Sequence, residues 1–351
     1  MTSDCITAVG WDIGAVNVKA ASATWQAGDV WEVRAAIHPF EVWRARGELV
    51  DVLRRVADDL RTESTTPFAV TMTAELSDTF RTKREGVLFV LDAVRRGFPG
   101  RRIYVLSAAG ELVGLDVALQ RPLDFAATNW MASALHMAER QRDGVLVDVG
   151  STTTDIIPVR EGRVVVGGRT DPDRLAAGEL VYTGVLRTNP NTIAAYVPLR
   201  GRPCRVAAES FALMADVYLL LGRISVAQYT CPTADGRERS ERAAADRLAR
   251  VVCADGEMLS KEEIVQLARF FAERQVRQVW DGLFQVLSSL SDAHDLPVAP
   301  AGVGAFVAAE AGRRVGLRVL DGATLWGGHG DALPATAVAR LLAQRLATEG
   351  A

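Results

Sequence analysis

Lysine is almost missing from this chain: of 40 lysines and arginines, three are lysine, at Lys19, Lys83 and Lys261. Where arginine serves wherever a positive charge is enough, a remaining lysine is a candidate for a task that needs a compact ammonium on a flexible stem. Cysteine is also scarce. Cys5, Cys204, Cys231 and Cys253 form no C-x-x-C pair and have no histidine nearby, which argues against a disulfide framework or a zinc site and for reduced thiols. His38, His136, His294 and His329 show no partner spacing. No apolar stretch reaches the roughly 18 residues of a membrane span. The N-terminus leads directly into the apolar run Ile6–Val9, without a signal-peptide pattern. Net charge is -3 with no long basic run, so neither nucleic acid nor a membrane is an expected partner. The chain reads as soluble and cytoplasmic.

With 351 residues, 49% hydrophobic and 24% charged, the chain has a globular profile and enough length for two domains with full cores. Two segments 136 residues apart say nearly the same thing: Val9–Ala20, which contains Asp12-Ile13-Gly14-Ala15-Val16-Asn17-Val18-Lys19, and Val145–Ile157, which contains Asp148-Val149-Gly150-Ser151-Thr152-Thr153-Thr154-Asp155. Each is an apolar strand ending in Asp-x-Gly, then a small or hydroxylated turn, then a second apolar strand. Glycine lets the backbone turn tightly and approach a ligand, and the turn's N–H groups and hydroxyls can grip phosphate oxygens. The strand-end acids Asp12 and Asp148, with Asp155, can hold Mg²⁺, usually through water. Two such hairpins imply two similar domains facing across a cleft that holds a phosphorylated ligand.

The first domain, 1–143, reads as strands at 5–10, 16–24 and 30–37 with Gly28-Asp29 as a hairpin turn. A helix near 45–61, strand 68–73, helix 84–96, strand 102–107 and a helix around 125–140 follow. This is the order of an RNase H-like domain. The second, 144–351, repeats the opening with strands 145–149, 154–159 and 163–167. It then becomes mostly helical from about 205 to 291, with helices 207–221, 239–252 and 260–291, as an insertion capping the cleft. Strands 298–303 and 315–320 bring it back. An amphipathic helix, 333–348, ends the chain and is expected to pack back on the first domain.

Three further motifs carry chemistry. Gly302-Val303-Gly304 is a glycine turn opening a helix, a place for an anion or for a ring lying flat on the backbone. Glu75 and Asp78 stand where strand 68–73 ends, at the carboxyl edge where open α/β sheets bind ligands; they can position an amine, act as base, or hold metal. Lys83 follows these acids, and Lys19 lies in the first hairpin, so both are candidates for ligand contact. Lys261 has a plainer reason, because Ser260-Lys261-Glu262-Glu263 is a capping box opening a helix. Asn129, Thr233 and Asp235 could either line the site or serve packing and turns.

Together these motifs resemble the actin–hexokinase–Hsp70 (ASKHA) superfamily in its hydantoinase/oxoprolinase-like branch. They are most similar there to the condensing enzymes of methanofuran and methylofuran biosynthesis, also labelled tetrahydromethanopterin-linked C1-transfer pathway proteins. Beyond the two hairpins, the resemblance is carried by Glu75-Leu-Ser-Asp78, Lys83-Arg-Glu-Gly86-Val87, Asn129-Trp130, Gly178-Glu-Leu-Val-Tyr-Thr-Gly184, Arg187-Thr188, Thr233-Ala-Asp-Gly236 and Ala243–Arg250. The first hairpin departs from the superfamily's Gly-Gly by having Gly14-Ala15, and Gly302-Val-Gly304 is looser than the Gly-Gly of kinases. The resemblance implies two RNase H-like domains and a Mg²⁺-dependent transferase. It would join an aminomethyl-furan-methanol diphosphate to the phenol oxygen of a tyramine- or tyrosine-derived partner and expel diphosphate. Lys19, Glu75, Asp78 and Lys83 would be catalytic. Asp12, Gly14, Asn17, Gly150, Ser151, Thr152, Thr153, Thr154, Gly302 and Gly304 would bind diphosphate or nucleotide, and Asp12, Asp148 and Asp155 the metal. ATP binding and a homodimer stay open. Two other readings are an ATP-dependent kinase or lactam-opening hydrolase, and a nucleotide-switched scaffold.

Overall fold

The computed structural model describes residues 5–26 and 30–349; the expected Gly28-Asp29 turn lies outside the described residues. The chain forms two compact units, neither of them continuous in sequence. One comprises 1–144, 157–173 and 323–351, the other 145–156 and 174–322.

The first unit is built on a six-stranded sheet. Its strands are β1 (Cys5–Ile13), β2 (Asn17–Gln26), β3 (Val30–Pro39), β4 (Phe68–Met72), β5 (Ile103–Leu106) and β6 (Leu112–Gly114), in the order β3-β2-β1-β4-β5-β6. β1, β2 and β3 run antiparallel, and β4 and β5 continue parallel to β1. The central strand β1 is buried from Ala8 to Ile13, the mark of a strand covered on both faces. Val9, Trp11 and Ile13 pack with Leu53, Val56, Val87 and Leu91 from helices Leu49–Asp59 and Lys83–Gly97. The alternate residue Gly10 meets the C-terminal helix Leu333–Glu349, where a Cβ on Gly10 would overlap the Ala335 carbonyl. Buried Ala335, Ala339 and Ala343 give that helix the small face such an approach requires.

The second unit centres on β7 (Gly144–Val149) and β8 (Thr154–Arg160). Its other strands are β10 (Leu180–Val181), the hairpin β11 (Tyr196–Leu199) and β12 (Arg202–Arg205), and β13 (Val298–Ala301), while β9 (Arg163–Val164), paired with the end of β8, belongs to the first unit. The sheet order is β10-β8-β7-β13, with β13 parallel to β7; β8 carries the chain out of this unit at Ile157. Helices Met214–Leu220, Glu241–Arg250, Lys261–Ser288 and Ala305–Val315 supply most of the core. The capping box appears as expected: Ser260 Oγ accepts from Glu263 N at 3.2 Å, and the Glu263 carboxylate accepts from Ser260 N at 2.9 Å.

Three expected elements differ. The helix at 207–221 starts only at Met214, because Asp216 accepts a hydrogen bond from Leu213 N at 3.0 Å and fixes the N-terminus there. The apolar run 315–320 is not a strand. Val315 ends the preceding helix, Gly316 turns out of it at φ 90°, and one bridge, Val298 to Val319, is all the pairing that follows. The third strand of the second hairpin shrinks to Arg163–Val164.

Candidate active site

In the first unit, β1 and β4 are parallel neighbours with Asp12 opposite Thr71 and Ile13 opposite Met72. The turn after β1 and the short 3₁₀ turn Ala74–Leu76 after β4 therefore leave the same carboxyl edge, the ligand edge of open α/β sheets. In the first turn Gly14 N donates to Asn17 O at 2.9 Å, while the N–H groups of Ala15 and Val16 have no acceptor among the described residues. A Cβ on Gly14 would stand 3.0 Å from Asn17 O, so glycine here gives the turn room to close on itself. Cross-strand register sets Lys19 directly opposite Asp12. Lys19 Nζ lies 4.0 Å from Asp12 Oδ2 and donates to the Asp331 carbonyl at 2.9 Å.

Glu75 is the unusual group. It is 1% exposed, and neither carboxylate oxygen has a hydrogen-bond partner of good geometry; two residues on, Ser77 Oγ is buried and partnerless as well. Burial pushes the Glu75 carboxyl up to about 8, against the pull of its own backbone N–H, of Lys83 and of the Ala127 N–H; Asp171 pushes it further up. Lys83 does not neutralise it, because Lys83 forms an ion pair with Asp171. Gly86 explains how the 83–97 helix comes so close: a Cβ there would lie 2.5 Å from Glu75 Cα and 2.7 Å from its carbonyl oxygen. Ala127 carries a left-handed φ of 50°, strain of the kind found beside functional groups. Its neighbour Thr128 joins Thr71 through a buried hydroxyl pair at 2.8 Å. Asp78, three residues from Glu75, is exposed. The fold thus gathers Glu75, Lys83 and Asp171 and leaves Asp78 on the surface.

In the second unit, Gly150 N donates to Thr153 O at 2.9 Å, the same turn bond as in the first hairpin. The N–H groups of Ser151, Thr152 and Thr153 have no acceptor among the described residues, whereas the carbonyls are tied down. Val185 N donates to Gly150 O, and Leu186 N and Arg187 N both donate to Ser151 O, at 3.1, 3.1 and 2.9 Å. Gly184 makes this possible, since a Cβ there would overlap Thr152 N. A buried amide fastens the same segment: Gln275 Nε2 donates to Thr183 Oγ1 at 2.8 Å and to Gly184 O at 2.9 Å, and its Oε1 accepts from Tyr218 at 2.7 Å. The four hydroxyls divide. Thr154 spends its own on Thr183 O at 2.7 Å, while Ser151, Thr152 and Thr153 stay half-buried at the turn.

The strand-end acids differ as well. Asp155 is paired with the buried Arg174 guanidinium at 2.7 Å. Asp148 lies against the glycine turn, where a Cβ on Gly302 would overlap its carboxylate. Gly304 donates to Val149 O at 2.8 Å, and a Cβ on it would come 2.5 Å from Val149 Cγ1. These two glycines therefore have a packing reason at the end of β7. In the helical part, Asp235 is held by Arg237 at 2.6 Å and Arg247 at 3.1 Å; burial would raise its carboxyl, but these arginines hold it at about 2. Arg247 in turn pairs with fully buried Asp216 at 2.7 Å, so Asp235 anchors its loop.

Among the described residues no three His, Cys, Asp or Glu side chains cluster as a metal cage. Mg²⁺ needs none when it is bound by one or two carboxylates plus substrate phosphate. Asp12, 4.0 Å from Lys19 Nζ, lies at the end of β1 in the first unit, and Asp148 at the end of β7 in the second; Asp155 is paired with Arg174. Sequence reasoning missed Asp171, Arg174 and Gln275, whose partners lie 88, 19 and 92 residues away. Gly184 was visible as the end of a motif, without a reason.

Comparison with known proteins places this geometry in a family. Residues 68–344 match the Hydantoinase/oxoprolinase family, and the chain belongs to it. The chain is 37% identical over 264 residues, 75% of its own length and 76% of the relative's, to the (4-{4-[2-(gamma-L-glutamylamino)ethyl]phenoxymethyl}furan-2-yl)methanamine synthase of Methanocaldococcus jannaschii. A synthase of the same name from Methanococcus vannielii is 36% identical over 124 residues, 35% of this chain and 55% of that one. Among solved structures, nucleotide-free acetone carboxylase superposes with a TM-score of 0.57 at 10% identity, over 95% of this chain and 70% of that one. That likeness concerns fold alone, and it agrees with the expected mixed α/β, actin-like ATPase architecture. Among the described residues no helix is long and apolar enough to cross a membrane.

Proposed function

We propose that this protein is a transferase of methylofuran or methanofuran biosynthesis. It would condense an aminomethyl-furan-methanol diphosphate with the phenol oxygen of a tyramine- or tyrosine-derived acceptor and release diphosphate. The observation that carries the reading is the turn 150–153, with three N–H groups committed to no protein acceptor. It occurs in a chain 37% identical to a synthase whose name describes a phenoxymethyl-furan. Such a product is an aryl ether of a furan-bound CH₂.

The chemistry follows from the substrate. The bond between the furan CH₂ and the diphosphate oxygen breaks with its electron pair leaving on diphosphate, and the furan ring stabilises the cationic carbon. The phenol oxygen supplies the new pair, and the phenolic proton passes to the departing diphosphate. What the protein must do is stabilise the leaving charge and hold the partners in line. In the second unit the N–H groups of Ser151, Thr152 and Thr153 would bind phosphate oxygens; in the first unit those of Ala15 and Val16, with Lys19 as a point charge, offer the same kind of cradle. Mg²⁺, held by Asp148 with phosphate and water, would add charge stabilisation. The Glu75–Lys83–Asp171 group would serve the organic part.

Incubating the protein with the furfuryl diphosphate, Mg²⁺ and tyramine, tyrosine or a glutamylated tyramine should release diphosphate only when both organic partners are present. No coupled product with any of the phenols would overturn the reading. The family match favours one alternative, an ATP-dependent hydantoinase- or oxoprolinase-like hydrolase; micromolar ATP binding with turnover on a lactam would select it.

A further inference from the structure

We propose that the buried carboxylate of Glu75 is the receptor for a primary ammonium group on the substrate, and so selects the aminated furan over furans that lack the amine. The inference deepens the function proposed above and rests on it for the identity of the amine.

Three observations point to a cation that the protein does not supply. Glu75 is 1% exposed, and neither of its oxygens has a hydrogen-bond partner of good geometry. Leaving a buried carboxylate unpaired is costly, and a polar group kept in that condition is one that a ligand can complete. The neighbouring cation is not free to do so, because Lys83 is bound to Asp171. The ion pair also bears on the local balance: Lys83 and Asp171 act on Glu75 with opposite effects.

The occupant is narrowed by counting donors. A phenol brings one hydrogen to two oxygens that lack a well-formed hydrogen bond. A divalent metal asks for several oxygens, and no three-acid cluster exists among the described residues, with Asp171 already engaged. An alkylammonium brings three N–H donors and one positive charge, enough for both oxygens of Glu75 and for Ser77 Oγ, the other partnerless oxygen of the same turn. The placement is rigid. Gly86 lets the 83–97 helix press on the Glu75 backbone, and the Ala127 N–H faces the carboxyl.

Binding then carries a proton signature. With its carboxyl pushed up to about 8, Glu75 is mostly protonated at pH 7, and an arriving ammonium drives it to ionise. Amine binding should release nearly one proton to the buffer at pH 7.

The test needs no turnover. Titrate the whole protein with (hydroxymethyl)furan-methanamine and with the same furan lacking the amine, in buffers of different ionisation enthalpy. The amine should bind at least ten-fold more tightly than its analogue and release a proton at pH 7. Glu75→Gln, whose folding is checked by its melting curve, should abolish both the preference and the release. Equal affinity for the two furans, or proton release undiminished in Glu75→Gln, would overturn the proposal. Kinetics separate it from a base role: with the full diphosphate substrate Glu75→Gln should raise KM for the aminated compound and erase its kcat/KM advantage over the des-amino compound. An equal fall in kcat for both would make Glu75 the phenol's base and sink the receptor role. If the amine binds as stated but no ether forms with any phenol, the condensation reading fails while the ammonium site stands.

Discussion

Lys19 and Lys261 test whether a rare lysine is retained for its chemistry. Lys19 stands opposite Asp12 in the sheet register, with Nζ bonded to the Asp331 carbonyl, so its ammonium is held at one point beside the first turn. Arginine there keeps the charge but moves it outward on a planar fork. Lys19→Arg should lower turnover at least about ten-fold, toward the 10²–10³ lost when one charge-stabilising donor is removed. Lys261→Arg, at an exposed first position of a capped helix, should leave turnover unchanged. Glu75 yields a stability prediction with a definite sign. Its folded-state value, about 8, lies above the ordinary carboxylate value of 4.5, so between those two values the folded state holds the extra proton and stability falls as pH rises. The penalty is absent below about 4.5 and complete above about 8, on the order of a few kcal/mol. Glu75→Gln should therefore melt near wild type at pH 4.5 and clearly higher at pH 9. Melting curves at the two pH values decide it, and a gain at low pH instead would contradict the burial account. At this scale the sequence was partly legible. Glu75 and Lys83 could be picked out by position and rarity, but Asp171 could not, because nothing local marks a partner 88 residues away.

Among the elements, the 83–97 helix shows how one glycine sets a site. Gly86→Ala would gain intrinsic helix stability, about 0.5–1 kcal/mol. The new Cβ would be driven into Glu75 Cα at 2.5 Å, and such overpacking against backbone costs about 1–3 kcal/mol. The variant should melt lower and lose at least ten-fold in kcat/KM. Gly97→Ala, in the last position of the same helix, meets nothing closer than Val50 at 3.9 Å and should be neutral or slightly stabilising; if both variants behave alike, the close approach is not what holds Glu75. Elements with strong local signals read well from sequence. The two hairpins, the capped helix Lys261–Ser288 and the helix Ala305–Val315 all form. Apolar runs without a local signal read poorly. The run 315–320 looked like a strand because its residues are apolar, yet Gly316 at φ 90° divides it between a helix end and a single bridge. The helix expected at 207–221 lost its first half to a carboxylate cap, Asp216 on Leu213 N, which periodicity does not register.

For the whole molecule, the paired Asp-x-Gly turns disclosed the architecture, because each closes with the same i to i+3 backbone bond, Gly14 to Asn17 and Gly150 to Thr153. What the sequence could not disclose is the path of the chain between its two compact units. The first unit takes back 157–173 and 323–351, and the fit of Gly10 against Ala335 is a contact between residues far apart in sequence. The central claim about the molecule is that it makes a carbon–oxygen bond at the furan CH₂ rather than a phosphorus–oxygen bond. Mass spectrometry of the product from a phenolic acceptor labelled with heavy oxygen tests this most directly. The account predicts a furfuryl aryl ether that keeps all of the label, with unlabelled diphosphate released in equal amount; a phosphorylated phenol, or diphosphate carrying the label and no ether, would contradict it.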